Sequence, residues 1–206
     1  RAVLGPEFSG RLLLGLGLAS VLVATPFILI QWNLKRLLAY SSVEHVGIMA
    51  IGFGLGGEAA TLGALLHMTY HTFAKPVAFF SAGTLAQLHG SSDLDAIGGG
   101  TLSRTPVASG LLLLATLMVT GSPPFGLFWS EMTILKAGFF GPYVAVVAVF
   151  LAALVVLFCG FFYQVARLVL GEGPGLVLGE GPGVTLGPDT RPADRPVLPE
   201  RLDLAM

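Results

Sequence analysis

Three ionisable side chains lie four residues apart within a long apolar segment of this 206-residue chain: His67, His71 and Lys75. A step of four residues along an α-helix turns about 40° past a full circle and rises about 6 Å, so the three side chains would form a shallow spiral on one face. A charged group at the centre of a bilayer costs roughly 3 kcal/mol on insertion scales. Three titratable groups in one apolar helix therefore require a polar interior, and groups at this spacing could pass a proton between them through single water molecules.

A glutamate and a histidine lie in the preceding apolar segment, at Glu44 and His45. Glu44 follows the basic turn of Lys35 and Arg36 by about eight residues, or roughly 12 Å of helix, which places it near the middle of the hydrocarbon. Both side chains could join a route for protons. They could also form a structural ion pair or an interhelical hydrogen bond.

A later apolar segment contains a hexapeptide that cannot continue a regular helix, because proline lacks the backbone donor and glycine weakens the helix. The interrupting residues are Gly121, Pro123, Pro124 and Gly126. Unwound backbone at membrane depth is tolerated only where protein or a water-filled cavity satisfies its polar groups, and broken helices of this kind are common in transporters. Glu131 follows within about two turns. We therefore interpret the break as part of a functional site, with a simple packing kink as the alternative.

The composition identifies the class of protein. The chain is 54% hydrophobic and 11% charged, and its mean hydropathy is +0.81, whereas a soluble domain is about a quarter charged. We therefore predict an integral membrane protein. A net charge of −1 gives no indication of nucleic-acid binding, and the single cysteine, Cys159, excludes an internal disulfide and a cysteine metal cluster.

Hydropathy predicts an all-α fold with five membrane-spanning helices, one of them broken. The predicted spans cover residues 12–30, 37–56, 59–88, a broken helix from about residue 106, and 143–166. The third span is about 45 Å long against a hydrocarbon core of ~30 Å, so it should tilt, kink or protrude. Pro76 places a kink next to Lys75, and residues 90–105 are predicted to form a polar loop in water.

The composition changes abruptly near residue 168. Residues 1–167 are predicted to form one transmembrane unit, and residues 168–206 a Gly/Pro-rich disordered tail that contains a short tandem duplication. The chain begins with Arg1 and lacks the pattern of a cleavable signal peptide. We therefore expect it to be the C-terminal part of a longer protein.

The basic residues predict an orientation in the membrane. With five spans, most of them fall on the same side as the tail, namely Lys35, Arg36, Arg104 and Arg167 together with the tail arginines. Cytoplasmic loops of membrane proteins carry an excess of Lys and Arg. This side, with the tail, is therefore predicted to face the cytoplasm.

Three segments carry a family resemblance. They are residues 34–47 (Leu-Lys-Arg-Leu-Leu-Ala-Tyr-Ser-Ser-Val-Glu-His-Val-Gly), 66–75 (Leu-His-Met-Thr-Tyr-His-Thr-Phe-Ala-Lys) and 121–131 (Gly-Ser-Pro-Pro-Phe-Gly-Leu-Phe-Trp-Ser-Glu). In this order they resemble signatures of the antiporter-like membrane subunits, the family of the proton-pumping subunits of respiratory complex I, the Mrp-type sodium/proton antiporters and the membrane arm of energy-converting hydrogenases. The Ser-Val-Glu-His sequence and the Pro-Pro-Phe-Gly break most resemble the hydrogenase-4 component F branch.

The resemblance implies an architecture of two inverted five-helix repeats, of which this chain would hold the second. The series His67, His71 and Lys75 would be the central proton relay, and Glu131 would be the terminal group toward the outer half-channel. Several relatives have lysine in the place of Glu131, and both groups can hold and release a proton. The first repeat, with a glutamate–lysine pair and the other half-channel, would be a partner outside this chain.

The resemblance also implies partners and a location. The chain would translocate H⁺, or Na⁺, as a non-catalytic subunit of an oxidoreductase complex, beside other membrane subunits of a hydrogenase or complex I-like assembly that carry out the redox chemistry. It would lie among lipids in a bacterial or archaeal inner membrane. The sequence shows no nucleotide, flavin or iron–sulfur motif, so we expect no cofactor.

Other interpretations fit the same residues. An Mrp-type sodium/proton antiporter subunit would use Glu131 or Glu44 to help bind Na⁺, and a structural scaffold or truncated remnant would bind its neighbours without conducting ions. The histidines could be neutral core residues hydrogen-bonded between helices, and Lys75 could extend its ammonium group toward an interface. Histidines inside a membrane could also suggest haem or another metal, but no sequence pattern specifies the partner ligands.

Overall fold

The computed structural model describes residues 5–171. Within that range the chain forms eight helices: α1 (Pro6–Leu29), α2 (Leu34–Leu55), α3 (Gly57–His89), α4 (Leu94–Ile97), α5 (Thr101–Arg104), α6 (Pro106–Val119), α7 (Gly126–Phe139) and α8 (Val144–Leu170). No strand occurs among these residues, where Asn33 and Asp93 form an isolated antiparallel bridge. The all-α prediction is confirmed for this part of the chain.

The helices extend beyond their predicted bounds. α3 has 33 residues and continues through Pro76, so it is about 50 Å long. α8 continues to Leu170, past the predicted start of the tail, because Leu168 and Val169 are buried against the bundle. The rest of the predicted disordered tail, residues 172–206, lies outside the described residues.

Three of the five predicted spans are long and apolar enough to cross a membrane within residues 5–171. They are Glu7–Leu29, Leu34–Leu55 and Val144–Leu170. α6 is apolar but has only 14 residues, and the break separates it from α7. α3 is long enough but does not belong to this group, since its interior carries polar side chains such as His67 and Lys75.

The first two helices pack with their backbones close together. A Cβ atom added to Gly17 would lie 2.8 Å from the Gly47 carbonyl oxygen, and one added to Gly54 would lie 2.7 Å from the Leu14 nitrogen. Small residues of this kind let helices approach closely in a membrane, where van der Waals packing replaces the hydrophobic effect between helices. Fully buried Val21 and neighbouring side chains fill the seam beside these glycines.

α3 is the central helix of the bundle and packs against α2, α6 and α7, while α8 contacts α1, α6 and α7. The first half of α3 also lies close to its neighbours. A Cβ at Gly63 would meet Ile134 of α7 at 2.8 Å, and a Cβ at Gly52 would meet Ala64 at 2.9 Å. Side chains on the covered faces of α2, α3 and α7 therefore project into protein.

The predicted polar loop is more ordered than expected, since it contains α4 and α5. Its start is tied to the turn between α1 and α2. Leu34 N donates to Ser92 O and Leu94 N to Trp32 O, both at 2.8 Å. Asn33 caps α2 by accepting from Arg36 N at 3.2 Å, and its amide donates to Asp93 at 2.8 Å. These bonds bring the two connections to one end of the bundle.

We expect Gly17→Leu to lower the free energy of unfolding by about 1–3 kcal/mol, the usual cost of inserting methylenes into a packed interface. The reason is that the new side chain must separate α1 from α2. Thermal unfolding of the purified chain in detergent measures the effect. Gly15→Leu is the matched control, because an added Cβ at Gly15 meets nothing within 4 Å. Equal melting temperatures for the two variants would contradict the close packing.

Candidate functional site

A polar interior lies where α2, α3 and the break between α6 and α7 meet. Five ionisable side chains in this interior are each at most 7% exposed, namely Glu44, His45, His67, Lys75 and Glu131. His71 is less buried than these five. The structure therefore brings the sequence-predicted residues of three helices into one interior.

A hydrogen-bond chain runs across three helices in this interior. His45 Nδ1 of α2 lies 2.9 Å from His67 Nε2 of α3, and His67 Nδ1 lies 2.9 Å from Ser130 Oγ of α7. Ser130 Oγ in turn donates to the Leu127 carbonyl at 2.7 Å. We call the set His45, His67 and Ser130 the histidine chain.

The last bond assigns the hydrogens of the whole histidine chain. A serine hydroxyl has one hydrogen, and that of Ser130 is committed to Leu127 O, so Ser130 Oγ must accept from His67 Nδ1–H. A neutral His67 then accepts on Nε2 from His45 Nδ1–H. His45 Nε2 is left as the free acceptor, and this buried atom has no hydrogen-bond partner within residues 5–171.

The helix break lies next to His45. The Val119 carbonyl, in the last turn of α6, lies near the His45 ring. Pro123 cannot supply the backbone N–H that would pair with this carbonyl in a continuous helix. The break therefore lies beside the histidine chain.

His71 packs beside the histidine chain and does not extend it. Its ring centroid lies 4.8 Å from that of His45, with the two planes tilted by 54°. Its Nε2 is buried and has no hydrogen-bond partner in the described part of the chain. The hydrogen bonds of His67 and Lys75 run to α2 and α7, so the structure does not connect the α3 series in sequence order.

Lys75 is held by α2. Its Nζ donates to Leu38 O at 2.8 Å and to Ser41 Oγ at 2.6 Å, and it lies 5.9 Å from the centroid of the Phe79 ring. These contacts keep the ammonium group inside the bundle. It does not extend to the end of α3.

A small cavity is lined by Ser41, which accepts a hydrogen bond from Lys75, and by the two glutamates. Its volume is about 10 Å³, and its polar lining consists of Ser41, Glu44, Thr120 and Glu131. A space of about this size holds one water molecule. Such a water would join the hydroxyl partner of Lys75 to both carboxylates.

The backbone between α6 and α7 is not helical, and the Pro123–Pro124 peptide bond is cis. Gly121 has φ +64°, and an added Cβ there would overlap the Glu131 carboxylate. Gly126 begins α7, and a Cβ there would overlap the ring of Tyr70. The glycines at the break therefore leave space for the Glu131 carboxylate and for the packing of α7 on α3.

Sequence reasoning missed the hydroxyl groups that link the ionisable residues, Ser41 and Ser130. Both lie on the same helices as predicted site residues. Ser41 precedes Glu44 by three residues, a spacing that places both on one helix face, and Ser130 directly precedes Glu131. The first signal is readable in the sequence, but the contact of Ser130 with His67 depends on how α7 packs on α3.

Three of these groups could also hold a metal ion. One ligand atom from each of His45, His67 and Glu131 lies within 4.8 Å of the others. Both nitrogens of His67 already take part in hydrogen bonds. Metal binding here would therefore replace one of the two bonds of the histidine chain.

Comparison with known proteins identifies the class. Residues 6–156 match the family described as NADH:quinone oxidoreductase/Mrp antiporter, TM. The chain belongs to this family of multi-pass membrane proteins, which confirms the resemblance drawn from the three sequence segments.

Individual relatives agree with this assignment. The chain is 40% identical over 131 residues to the hydrogenase-4 component F homolog of Methylacidiphilum infernorum, covering 64% of this chain and 27% of that protein. It is 30% identical over 122 residues to a Na(+)/H(+) antiporter protein of Alkalihalophilus pseudofirmus, covering 59% of this chain and 24% of that protein. The chain thus spans about a quarter of the length of these two relatives.

A solved structure has the same fold. In the membrane-bound sulfane sulfur reductase, an archaeal respiratory membrane complex, the match has a TM-score of 0.74 and 28% sequence identity. It covers 84% of this chain and 35% of that one. The bundle described above therefore shares its fold with part of a chain of that complex.

Ser130→Ala removes the acceptor of His67 Nδ1–H. We expect the free energy of unfolding to fall by about 1–3 kcal/mol, the cost of leaving a buried donor unpaired. We also expect the hydrogen on His67 to lose its preference for Nδ1, which ¹⁵N NMR of histidine-labelled protein in bilayers would detect. Thr133→Ala is the matched control, because Thr133 Oγ1 donates only to Trp129 O on the same helix. An unchanged His67 signal in Ser130→Ala would show that Ser130 does not set the tautomer.

Proposed function

We propose that this chain is a proton-translocating membrane subunit, or the part of one, in a redox-driven pump of the hydrogenase-4 or complex I kind. One observation carries the proposal, namely that ionisable side chains from α2, α3 and α7 share one buried interior and are linked across helices. Ionisable groups inside a membrane are expensive and mark ion pathways by default. The sulfane sulfur reductase and hydrogenase relatives support a redox complex as the setting.

Protons would move by hops along two connected arms. One arm is the histidine chain, whose free His45 Nε2 takes up a proton while Ser130 orients His67. The other arm is Lys75 with Ser41. Ser41 and a water in the small cavity would link Lys75 to Glu44 and Glu131. His71, the most exposed member, lies beside His45.

In the topology that we propose, residues 1–167 cross the membrane five times. The spans would be the three apolar helices α1, α2 and α8, together with α3 and the broken pair α6–α7. These five spans would form the second of two inverted repeats. The end of the bundle that holds Arg104 and Arg167 would face the cytoplasm of a bacterial or archaeal cell, and residues 168–206 would follow on that side. Other membrane subunits, including the first repeat, would complete the half-channels and carry the redox partners.

A second candidate function is Na⁺ transport in an Mrp-type antiporter. The observation in its favour is that the small cavity is lined by oxygen groups alone on its polar side, from Ser41, Glu44, Thr120 and Glu131. Hard cations prefer oxygen ligands. Transport that requires Na⁺, and stops when Glu44 and Glu131 are both replaced by Gln, would favour this function over proton pumping.

We expect Lys75→Met in the intact parent complex to abolish most proton pumping while the complex still assembles. Methionine has a similar length and apolar volume but cannot bind a proton. Lys75→Arg should also impair pumping, because arginine remains charged at any accessible pH and cannot release a proton. Dye-reported proton uptake into reconstituted vesicles, driven by the electron donor of the complex, measures both.

Lys136→Met is the matched control, because this lysine lies in the last turn of α7 and is exposed. It should pump at the wild-type rate. If an assembled Lys75→Met variant also pumps at the wild-type rate, Lys75 lies outside the pathway, and a scaffold that conducts nothing becomes the better explanation.

A further inference from the structure

A second, larger cavity lies at the end of the bundle where α1 and α8 finish. Its volume is about 520 Å³, and its lining includes Trp32, Asp95, Arg104, Tyr163 and Arg167. None of the ionisable residues of the polar interior lines it. We call it the end cavity, and it needs an explanation separate from ion translocation.

The cationic groups of the end cavity outnumber its carboxylates. Arg167 forms an exposed ion pair with Asp95 at 3.3 Å. Arg104 donates to the Gly99 carbonyl at 3.1 Å, and within residues 5–171 no carboxylate pairs with it. A guanidinium group has five N–H donors, so Arg104 keeps both its charge and most of its donors for a ligand. The cavity is therefore complementary to a monoanion with several acceptor oxygens.

Aromatic side chains line the same cavity and remain accessible. Trp32 is 57% exposed and Tyr163 is 66% exposed, and the Arg167 guanidinium lies 5.9 Å from the centroid of the Trp32 ring. Trp and Tyr concentrate at the level where lipid headgroups meet hydrocarbon. Leu29 and Leu168, near the ends of two helices that are able to span a membrane, add apolar surface to the lining.

We propose that the end cavity binds the headgroup of an anionic phospholipid. Arg104 would bind the phosphate, Arg167 would add a second positive charge from its place over Trp32, and the acyl chains would lie along the apolar surfaces of α1 and α8. Basic pockets between membrane helices recognise such headgroups through the same combination of charge and apolar surface. The inference does not depend on the ion-translocation proposal, because it rests on other residues at the end of the bundle.

The test uses Trp32 as the reporter. The 206-residue chain has two tryptophans, so Trp129→Phe in this chain leaves Trp32 as its single tryptophan. The protein is reconstituted in phosphatidylcholine vesicles that contain increasing fractions of brominated phosphatidylglycerol, and quenching of Trp32 gives the relative affinity for the two lipids. We expect a preference for phosphatidylglycerol.

Arg104→Gln should reduce this preference about fivefold, since a basic residue near an anionic lipid contributes about 1 kcal/mol. This variant keeps the Arg167–Asp95 pair. The hydrogen bond that it removes runs from Arg104 to Gly99 of the same segment, so the fold should persist. Arg36→Gln is the matched control, because it removes one positive charge at the same end of the bundle but outside the cavity. It should keep the wild-type preference.

Several results would overturn the proposal. The first is the absence of any preference in the wild-type protein. The second is an equal loss in Arg104→Gln and Arg36→Gln, which would show a general surface charge effect. The third is displacement of the lipid by excess inorganic phosphate, which would show a site for free phosphate. The fourth concerns a chain that ends at residue 171. If only this shortened chain prefers phosphatidylglycerol, acidic residues after residue 171, such as Glu172 and Glu180, and not a lipid, would be the occupant of the cavity in the longer chain.

Discussion

The rest of the site depends on the two hydrogen bonds of the His67 ring. One nitrogen lies against His45 of α2 and the other against Ser130 of α7. Removal of either partner would leave a buried ring nitrogen of His67 unpaired, at a cost of about 1–3 kcal/mol. The requirement to satisfy both nitrogens therefore favours one arrangement of the three helices, and it orders the hydrogens along the chain.

The short interhelical distances that this arrangement needs come from small residues. Gly52 faces Ala64 where α2 meets α3, and Gly63 faces Ile134 where α3 meets α7. A larger side chain at either glycine would move α3 away, and a bond of 2.9 Å between side chains on different helices would not survive such a shift. Gly121 acts in the same way at the break, where it leaves room for the Glu131 carboxylate.

The interior and the end of the bundle differ in physical character. The interior contains little space and joins ionisable groups through hydroxyls, which suits the proton route that we propose. The end cavity is basic and aromatic, which suits the lipid headgroup that we propose. The chain covers about a quarter of the length of two of its relatives. Groups that deliver protons to the interior would therefore lie outside this chain, in the larger assembly that we propose.

Composition and local pattern determined a large part of this protein. Hydropathy alone indicates an all-helical membrane protein, because an apolar helix satisfies its own backbone in lipid. Three ordered motifs identified the family, and the prolines and glycines at residues 121–126 predicted the position of the interruption, since proline lacks the donor that a helix needs. The ordered turns at α4 and α5 were not predicted, because the bonds that hold the start of this segment come from the distant turn between α1 and α2.

Only the tertiary structure decided which groups touch. Helical spacing placed His67, His71 and Lys75 on one face, and it suggested a series along α3. The packing of α2 and α7 directs His67 to His45 and Ser130, and directs Lys75 to Ser41, because those helices supply the nearest partners. Periodicity within one helix contains no information about the distance or register of its neighbours. The hydroxyl links and the one-water cavity could therefore be known only after the helices were packed together.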